Sequence, residues 1–280
     1  MMIKITILNK LTLYTLLTLT TWVISSFTPP KQTPVKEQLV EITTRYGKMV
    51  VKLYNETPLH RDNFVKLVKE GFYDSLLFHR VIPSFMIQGG DPNSKYAPAG
   101  KALGDTEVPY TIPAEFNKKL YHKRGALAAA RNENPEKVSS GCQFYIVQGR
   151  PFKIEELSAY ENQVNYNEKR VMFSKMLKSD SINAKFNDFT LRGDKEGLHK
   201  YMLSLQTVID KAYAPNEFKF GPNQIIDYLQ MGGAPHLDGN YTVFGEVVSG
   251  LRVLDSIAAQ KTDTLNRPLV DLRMKMKLLK

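Results

Sequence analysis

Between Ser75 and Gln148 the chain keeps interrupting its own apolar runs. LLFHRVIPSFMIQGG, YTIPAEF, RGALAAAR and CQFYIVQG are each short, with glycine or proline in or beside each one. A helix needs about ten residues or more of 3.6-residue periodicity, whereas about four to eight suffice for a strand. Short strands this closely spaced imply a sandwich or a closed barrel rather than alternating parallel units. LVDLRMKMKLL, near the end, alternates Val270, Leu272, Met274, Met276 and Leu278 with Asp271, Arg273, Lys275 and Lys277, which predicts a strand with its apolar side inward. LVEITTRYGKMVVKLY has two alternating runs around Tyr46-Gly47, the pattern of a β-hairpin.

Helical text interrupts the strands. TPLHRDNFVKLVKEGFY offers Thr57 as N-cap, Pro58 at the first helical position, Phe64, Val65, Leu67 and Val68 on one side, and Gly71 as the stop. YTVFGEVVSGLRVLDSIAAQ adds a strand and a second short helix. Between Gly149 and Gly232 the composition changes: Leu157, Tyr160, Val164 and Val171 fall at helical spacing, as do Leu198, Met202, Leu205 and Ile209. Three helices are expected there, as an insertion over 150–231 in one loop of a domain spanning 38–280.

Residues 1–26 place Lys4 and Lys10 ahead of an apolar run from Leu11 to Ile24, then Ser25 and Ser26, with no acidic residue. That is the layout of a secretory signal, and the run is shorter than the ~20 residues of a membrane-spanning helix. The expectation is an exported, periplasmic protein with a linker at 27–37; an uncleaved signal would anchor it and be its one membrane contact. The single cysteine, Cys142, cannot close an intramolecular disulfide and reads as a small buried hydrophobe rather than a nucleophile. The net charge of +10 is diffuse, and residues 151–232 carry as many acidic as basic side chains. No stripe of lysine and arginine interleaves with aromatics, which argues against a nucleic-acid partner.

Familiar catalytic layouts are missing. There is no G-x-S-x-G, no H-E-x-x-H and no phosphate-binding glycine loop, and the five histidines pair at no metal-ligand interval, so no metal site is expected. FHRVIPSFMIQGGDP, at 78–92, instead resembles the signature of the cyclophilin family of peptidyl-prolyl cis/trans isomerases. YTIPAEF at 110–116, LAAAR through SSGCQFYIVQG at 127–149 and HLDGNYTVFGEVVSGLRVLDSI at 236–257 support the likeness, which covers neither the signal nor the insertion.

The resemblance implies a mainly β fold: a closed eight-stranded antiparallel β-barrel capped by two helices, carrying the α-helical insertion. It implies isomerisation of X-Pro bonds in exported, folding polypeptides, with no cofactor, proline-containing chains as partners, and action as a monomer. Arg80 matches the family's catalytic arginine and Gln88 the polar residue that orients it; Phe85, Met86, Tyr145 and Leu237 match the walls of the proline pocket. Ala130, Arg131 and Gln143 resemble the strip that binds substrate backbone, and Tyr241 takes a place often held by histidine. Tyr145 stands where many members have phenylalanine, and Arg131 where eukaryotic members have asparagine. His236 replaces a tryptophan associated with tight cyclosporin binding, and reads either as pocket rim or as exposed loop. Strict alternation would put Phe85 opposite in parity to Arg80; the resemblance, taken together with the proline, implies that Pro83-Ser84 breaks the register. A proline-peptide binding module or holdase without catalysis would use the same groove. The insertion reads as cover for another surface or as an overhang that selects clients.

Overall fold

The structure, a computed structural model, describes residues 37–280; the signal and the linker up to residue 36 lie outside the described residues. The opening hairpin is β1 (Gln38–Thr44) and β2 (Gly47–Leu53), where Val40 and Ile42 sit opposite Val51 and Met49. Next come β3 (Phe78–Ile82), β4 (Met86–Gly89), β5 (Thr111–Ile112), β6 (Ala126–Ala129), β7 (Ser139–Ser140), β8 (Phe144–Val147), β9 (Val243–Ser249) and β10 (Lys275–Leu279). Eight of them form one antiparallel sheet in the order β10-β1-β2-β9-β6-β8-β4-β3. β5 pairs only with β7, so YTIPAEF is no strand of the main sheet; Pro113, lacking an N–H, directly follows the two residues of β5.

The sheet curls. No ladder joins β3 to β10, so the expected closed barrel is an eight-stranded curled sheet. Its two ends meet where the chain enters them: Ser75 N–H donates to Met274 O, Phe78 N–H to Leu272 O and Met274 N–H to Leu76 O, each at 2.9 Å. The expected final strand is regular only from Lys275. Leu272, Met274 and Met276 are nonetheless buried in alternation, while Val270 is exposed.

Two helices bury into the concave side. α1 (Pro58–Lys69) contributes Phe64, Leu67 and Val68, and α6 (Leu251–Ala258) contributes Leu254, Ile257 and Ala258, to the cluster that holds Ile42, Val51, Val81, Ile87 and Ile146. Thr57 occupies the N-cap position of α1 with Pro58 after it, as expected, but its hydroxyl makes no capping bond. The carboxylate of Glu115 takes that place, accepting from the N–H of Leu59 at 3.1 Å and of His60 at 3.0 Å. A carboxylate there meets the unpaired N–H groups and the positive end of the helix dipole.

The insertion holds four α-helices rather than three: α2 (Ile154–Met176), α3 (Asp180–Leu191), α4 (Lys195–Tyr213) and α5 (Pro222–Gln230). α3 buries no residue fully, but Ile182, Phe186 and Phe189 form a short half-buried stripe at helical spacing, and the two phenylalanine rings pack on Tyr201 of α4 at 5.5 and 5.8 Å. Leu157, Leu205 and Ile209 are buried as their spacing predicts, whereas Val171 and Met202 are exposed. The packing is pinned by a buried amide: Asn165 donates to Phe218 O at 3.0 Å and accepts from the Tyr213 hydroxyl at 2.9 Å. The insertion leaves and returns at one neck, where Gly233 N–H donates to Arg150 O at 3.2 Å. A Cβ on Gly149 would lie 2.5 Å from Gly233 Cα, so the crossing requires glycine.

Candidate active site

Strands β3, β4, β8 and β6 alternate their side chains between two faces. Val81, Ile87, Ile146 and Leu127 stand opposite one another and enter the core. Arg80, Gln88, Tyr145 and Ala128 stand opposite one another on the other face. A β-bulge decides which face receives Arg80. The register shifts between Phe78, opposite Gly89, and Arg80, opposite Gln88. A regular ladder running on from Phe78 would set Arg80 opposite Ile87, in the core; the extra residue, His79, moves it outward.

Ala234, Leu237 and Val243 bury against Met86, Ala128 and Tyr145 on that outward face. A cleft of about 300 Å³ remains beside them. Nine of the eleven residues singled out from sequence line it: Arg80, Phe85, Met86, Gln88, Ala130, Arg131, Tyr145, Leu237 and Tyr241. Gln143 stands behind this lining, and His236 is exposed with its ring 5.3 Å from that of Phe85. Phe85 reaches the cleft because β3 and β4 are joined by a turn through Pro83 and Ser84, with Ser84 at φ 61°. Phe85 N–H closes that turn on Ile82 O at 3.1 Å, and Phe85 O accepts from Gln148 and Gly149. Its position is thus set by the turn, outside the β4 ladder.

The polar groups form a relay. Arg80 Nη1 donates to Gln88 Oε1 at 3.1 Å, and Gln88 Nε2 donates to Gln143 Oε1 at 3.0 Å. Gln143 Nε2 in turn donates to the carbonyls of Gly104 at 2.8 Å and Thr106 at 3.0 Å. The direction is determined, since a guanidinium can only donate and each amide then has one orientation left. Gln143, expected to bind substrate backbone, therefore spends its side chain holding Gln88 and the 104–106 loop. Arg131 donates from Nε to Asn240 O at 3.0 Å, and its guanidinium carbon lies 4.7 Å from the centre of the Tyr241 ring.

A second chain runs behind Tyr145. The phenol stays protonated well above its usual range because it is buried, and its hydroxyl lies 3.0 Å from His122 Nε2. His122 Nδ1 is 2.8 Å from Asp238 Oδ1, and Asp238 Oδ2 accepts from the hydroxyl of Tyr228, on α5 of the insertion, at 2.6 Å. A carboxylate only accepts, so Nδ1 carries the proton and Nε2 faces the Tyr145 hydroxyl.

Several members of the site were not foreseen. His79, Leu103, Gly104, Asp105 and Asn132 also line the cleft. His79 lies inside the FHRVI motif, so its place there was a usable signal; the 103–105 loop carries none. Burial pushes the His79 imidazole down to about 4. Cys142 is buried, with its thiol pushed up to about 11 by burial, which leaves it a core side chain rather than a thiolate.

A family model described as cyclophilin type peptidyl-prolyl cis-trans isomerase/CLD matches residues 39–204 and 223–277. A Staphylococcus aureus protein named as a peptidyl-prolyl cis-trans isomerase is 30% identical over 243 residues, which cover 86% of this chain and 91% of that protein. A Streptococcus pyogenes protein named as a bifunctional phosphatase/peptidyl-prolyl cis-trans isomerase is 32% identical over 238 residues, 83% of this chain but only 36% of that protein. Among solved structures, a cyclophilin type peptidyl-prolyl cis-trans isomerase of Cryptosporidium parvum superposes with a TM-score of 0.51 at 19% identity. That superposition covers 87% of this chain and 98% of the other, and it speaks to the fold. The chain belongs to the cyclophilin type peptidyl-prolyl cis-trans isomerase family.

Proposed function

We propose that the protein accelerates rotation about X-Pro bonds in polypeptides, with Arg80 as the catalytic donor and Gln88 as the group that holds it. The observation that carries this reading is a guanidinium fixed at 3.1 Å from Gln88 on the wall of a cleft that also carries Phe85, Met86, Tyr145 and Leu237. Amide resonance makes the rotation barrier ~18–20 kcal/mol, and uncatalysed X-Pro bonds take tens of seconds or more. In the twisted transition state resonance is lost and the prolyl nitrogen regains a lone pair. A donor held in place meets that lone pair only then, which is differential binding.

Arginine suits the task because it stays protonated and offers several donors in a rigid fork. Raising a rate from ~0.01 to ~1000 per second requires about 7 kcal/mol, at ~1.36 per decade. One charge-assisted hydrogen bond contributes ~1.5–3 kcal/mol, so most of the effect falls to the walls. Phe85, Met86, Tyr145 and Leu237 grip the prolyl ring and exclude water while the preceding carbonyl swings, and Ala130 and Tyr241 border the substrate chain beside them. A protease-coupled assay on short X-Pro peptides tests the reading: turnover supports it, and peptide binding without turnover assigns the cleft to a proline-binding module or holdase.

The leader-like residues 1–26 support placing this work on exported chains in the periplasm, and a subcellular fractionation checks it. The three hydrogen bonds between 75–78 and 272–274 support reading the curled sheet as a barrel closed at that seam. Slow amide exchange at Ser75, Phe78 and Met274 is the expected result.

A further inference from the structure

A second cavity, of about 460 Å³, lies between the sheet and the insertion. Phe116, Leu120 and Tyr121 wall it from the chain before β6, Phe218 from the segment joining α4 to α5, and Tyr241 and Val243 from the return into β9. Tyr241 also lines the Arg80 cleft, so one side chain divides the two spaces. That divider is held on the cleft side by Arg131 over its face and by Tyr145, whose ring centre is 5.9 Å away at 81°.

Two polar groups of the lining are already engaged. Asp238 is taken by His122 and Tyr228, and the Tyr121 hydroxyl donates to Asp227 at 2.5 Å. What the cavity offers an occupant is ring surface: Phe116 is 43% exposed, and Phe218 faces the same space from the insertion. The remaining polar lining includes the exposed Lys118, Asn216, Glu217 and Lys219, which solvent already serves, so the aromatic rings are the part of the wall that an apolar ligand group would cover.

We propose that this cavity is a second subsite for the client polypeptide, taking a large apolar side chain, aromatic or leucine-sized, from the chain whose proline occupies the Arg80 cleft. The occupant follows from continuity, because a chain passing Tyr241 enters one space from the other. Crossing a ring of roughly 6–7 Å takes about two residues of extended chain at ~3.3 Å each. The insertion thereby becomes half of a bipartite groove, and specificity for sequence near the proline resides partly in Phe218. The proposal rests on the isomerase reading for the cleft.

The test uses the full chain and nine-residue peptides with one proline and either phenylalanine or alanine two to five residues before or after it, with a tetrapeptide as control. KM, kcat and, by fluorescence anisotropy, Kd are measured in parallel. Expected is a KM and Kd about tenfold lower for phenylalanine than for alanine in one register, with kcat unchanged. Phe218→Ala and Phe116→Ala each erase that difference and leave tetrapeptide turnover as it was; Phe116, being exposed, guards against a folding defect in the other variant. Equal constants for the two peptide sets in every register overturn the subsite and leave the isomerase reading standing. Tighter, Phe218-dependent binding with no turnover of any peptide upholds the subsite and removes the isomerase reading.

Discussion

Strands β4, β6 and β8 carry a buried cluster on each face, built from different chemistry. Inward, Ile87, Leu127, Phe144 and Ile146 join the larger apolar cluster, with Phe144 edge-on to Phe64 at 5.5 Å. Outward, Met86, Ala128 and Tyr145 pack beside Gln88, and hydrogen bonds run from these residues to Arg80, Gln143 and His122. The inward set specifies volume and the outward set specifies donors, acceptors and a vacant space. Period-two alternation binds the two together, because a slip of one residue would exchange them. The sheet leaves that rule at three register shifts, and the one at His79 on β3 delivers Arg80 to the outward face.

If the faces are separable, a change inward costs stability and leaves the chemistry alone. Leu127→Ala, at a fully buried position, is expected to cost about 2–5 kcal/mol in urea unfolding, with kcat of the folded fraction unchanged. A matching loss of kcat would break the comparison. His79, between the faces, makes stability depend on pH. The unfolded chain takes up its proton near 6.5, but burial holds the folded imidazole at about 4. Stability is therefore full above pH ~6.5 and falls between there and ~4, by about 3 kcal/mol for this one group. His79→Leu should flatten that acid arm of the urea midpoint; an unchanged slope would mean that the imidazole is not excluded from water. Outward, Arg80→Ala should lower kcat/KM by about 1.5–3 kcal/mol, roughly 10- to 150-fold, while peptide affinity and urea midpoint barely move. A drop in affinity as large as the drop in kcat/KM would reassign Arg80 to ground-state binding.

What the sequence discloses divides along similar lines. Local signals carry the hairpin at Tyr46-Gly47, α1 and the burial of Leu272, Met274 and Met276, because each is written within a few adjacent residues; the turn at Pro83-Ser84 needs the family resemblance as well as the proline. Nine lining residues were legible through the FHRVIPSFMIQGG likeness and its companion stretches rather than through periodicity, which gave no reason for Arg80 to leave the core face. What remained hidden is held by groups far apart in the chain. Glu115 caps a helix that begins at Pro58, and Asp238 holds His122 from 116 residues away. α3 is weakly written because its apolar face is three residues, Ile182, Phe186 and Phe189, none fully buried, and the cavity at Phe218 is hidden because its walls come from three separate segments.

The outward face also reaches into the insertion, and the smallest predicted effect probes that reach. In a family where phenylalanine is common at this place, the Tyr145 hydroxyl serves His122 rather than the cleft. Tyr145→Phe keeps the ring wall and leaves His122 Nε2 without its partner, so stability should fall by about 1 kcal/mol with kcat/KM nearly unchanged. Tyr228→Phe removes the bond at the other end, on Asp238. If His122 and Asp238 act as one connected unit, the double variant departs from the sum of the single ones by about 0.5 kcal/mol or more. Strict additivity would show that the insertion only rests against the sheet, since two sites joined through a shared buried pair cannot lose their end contacts independently.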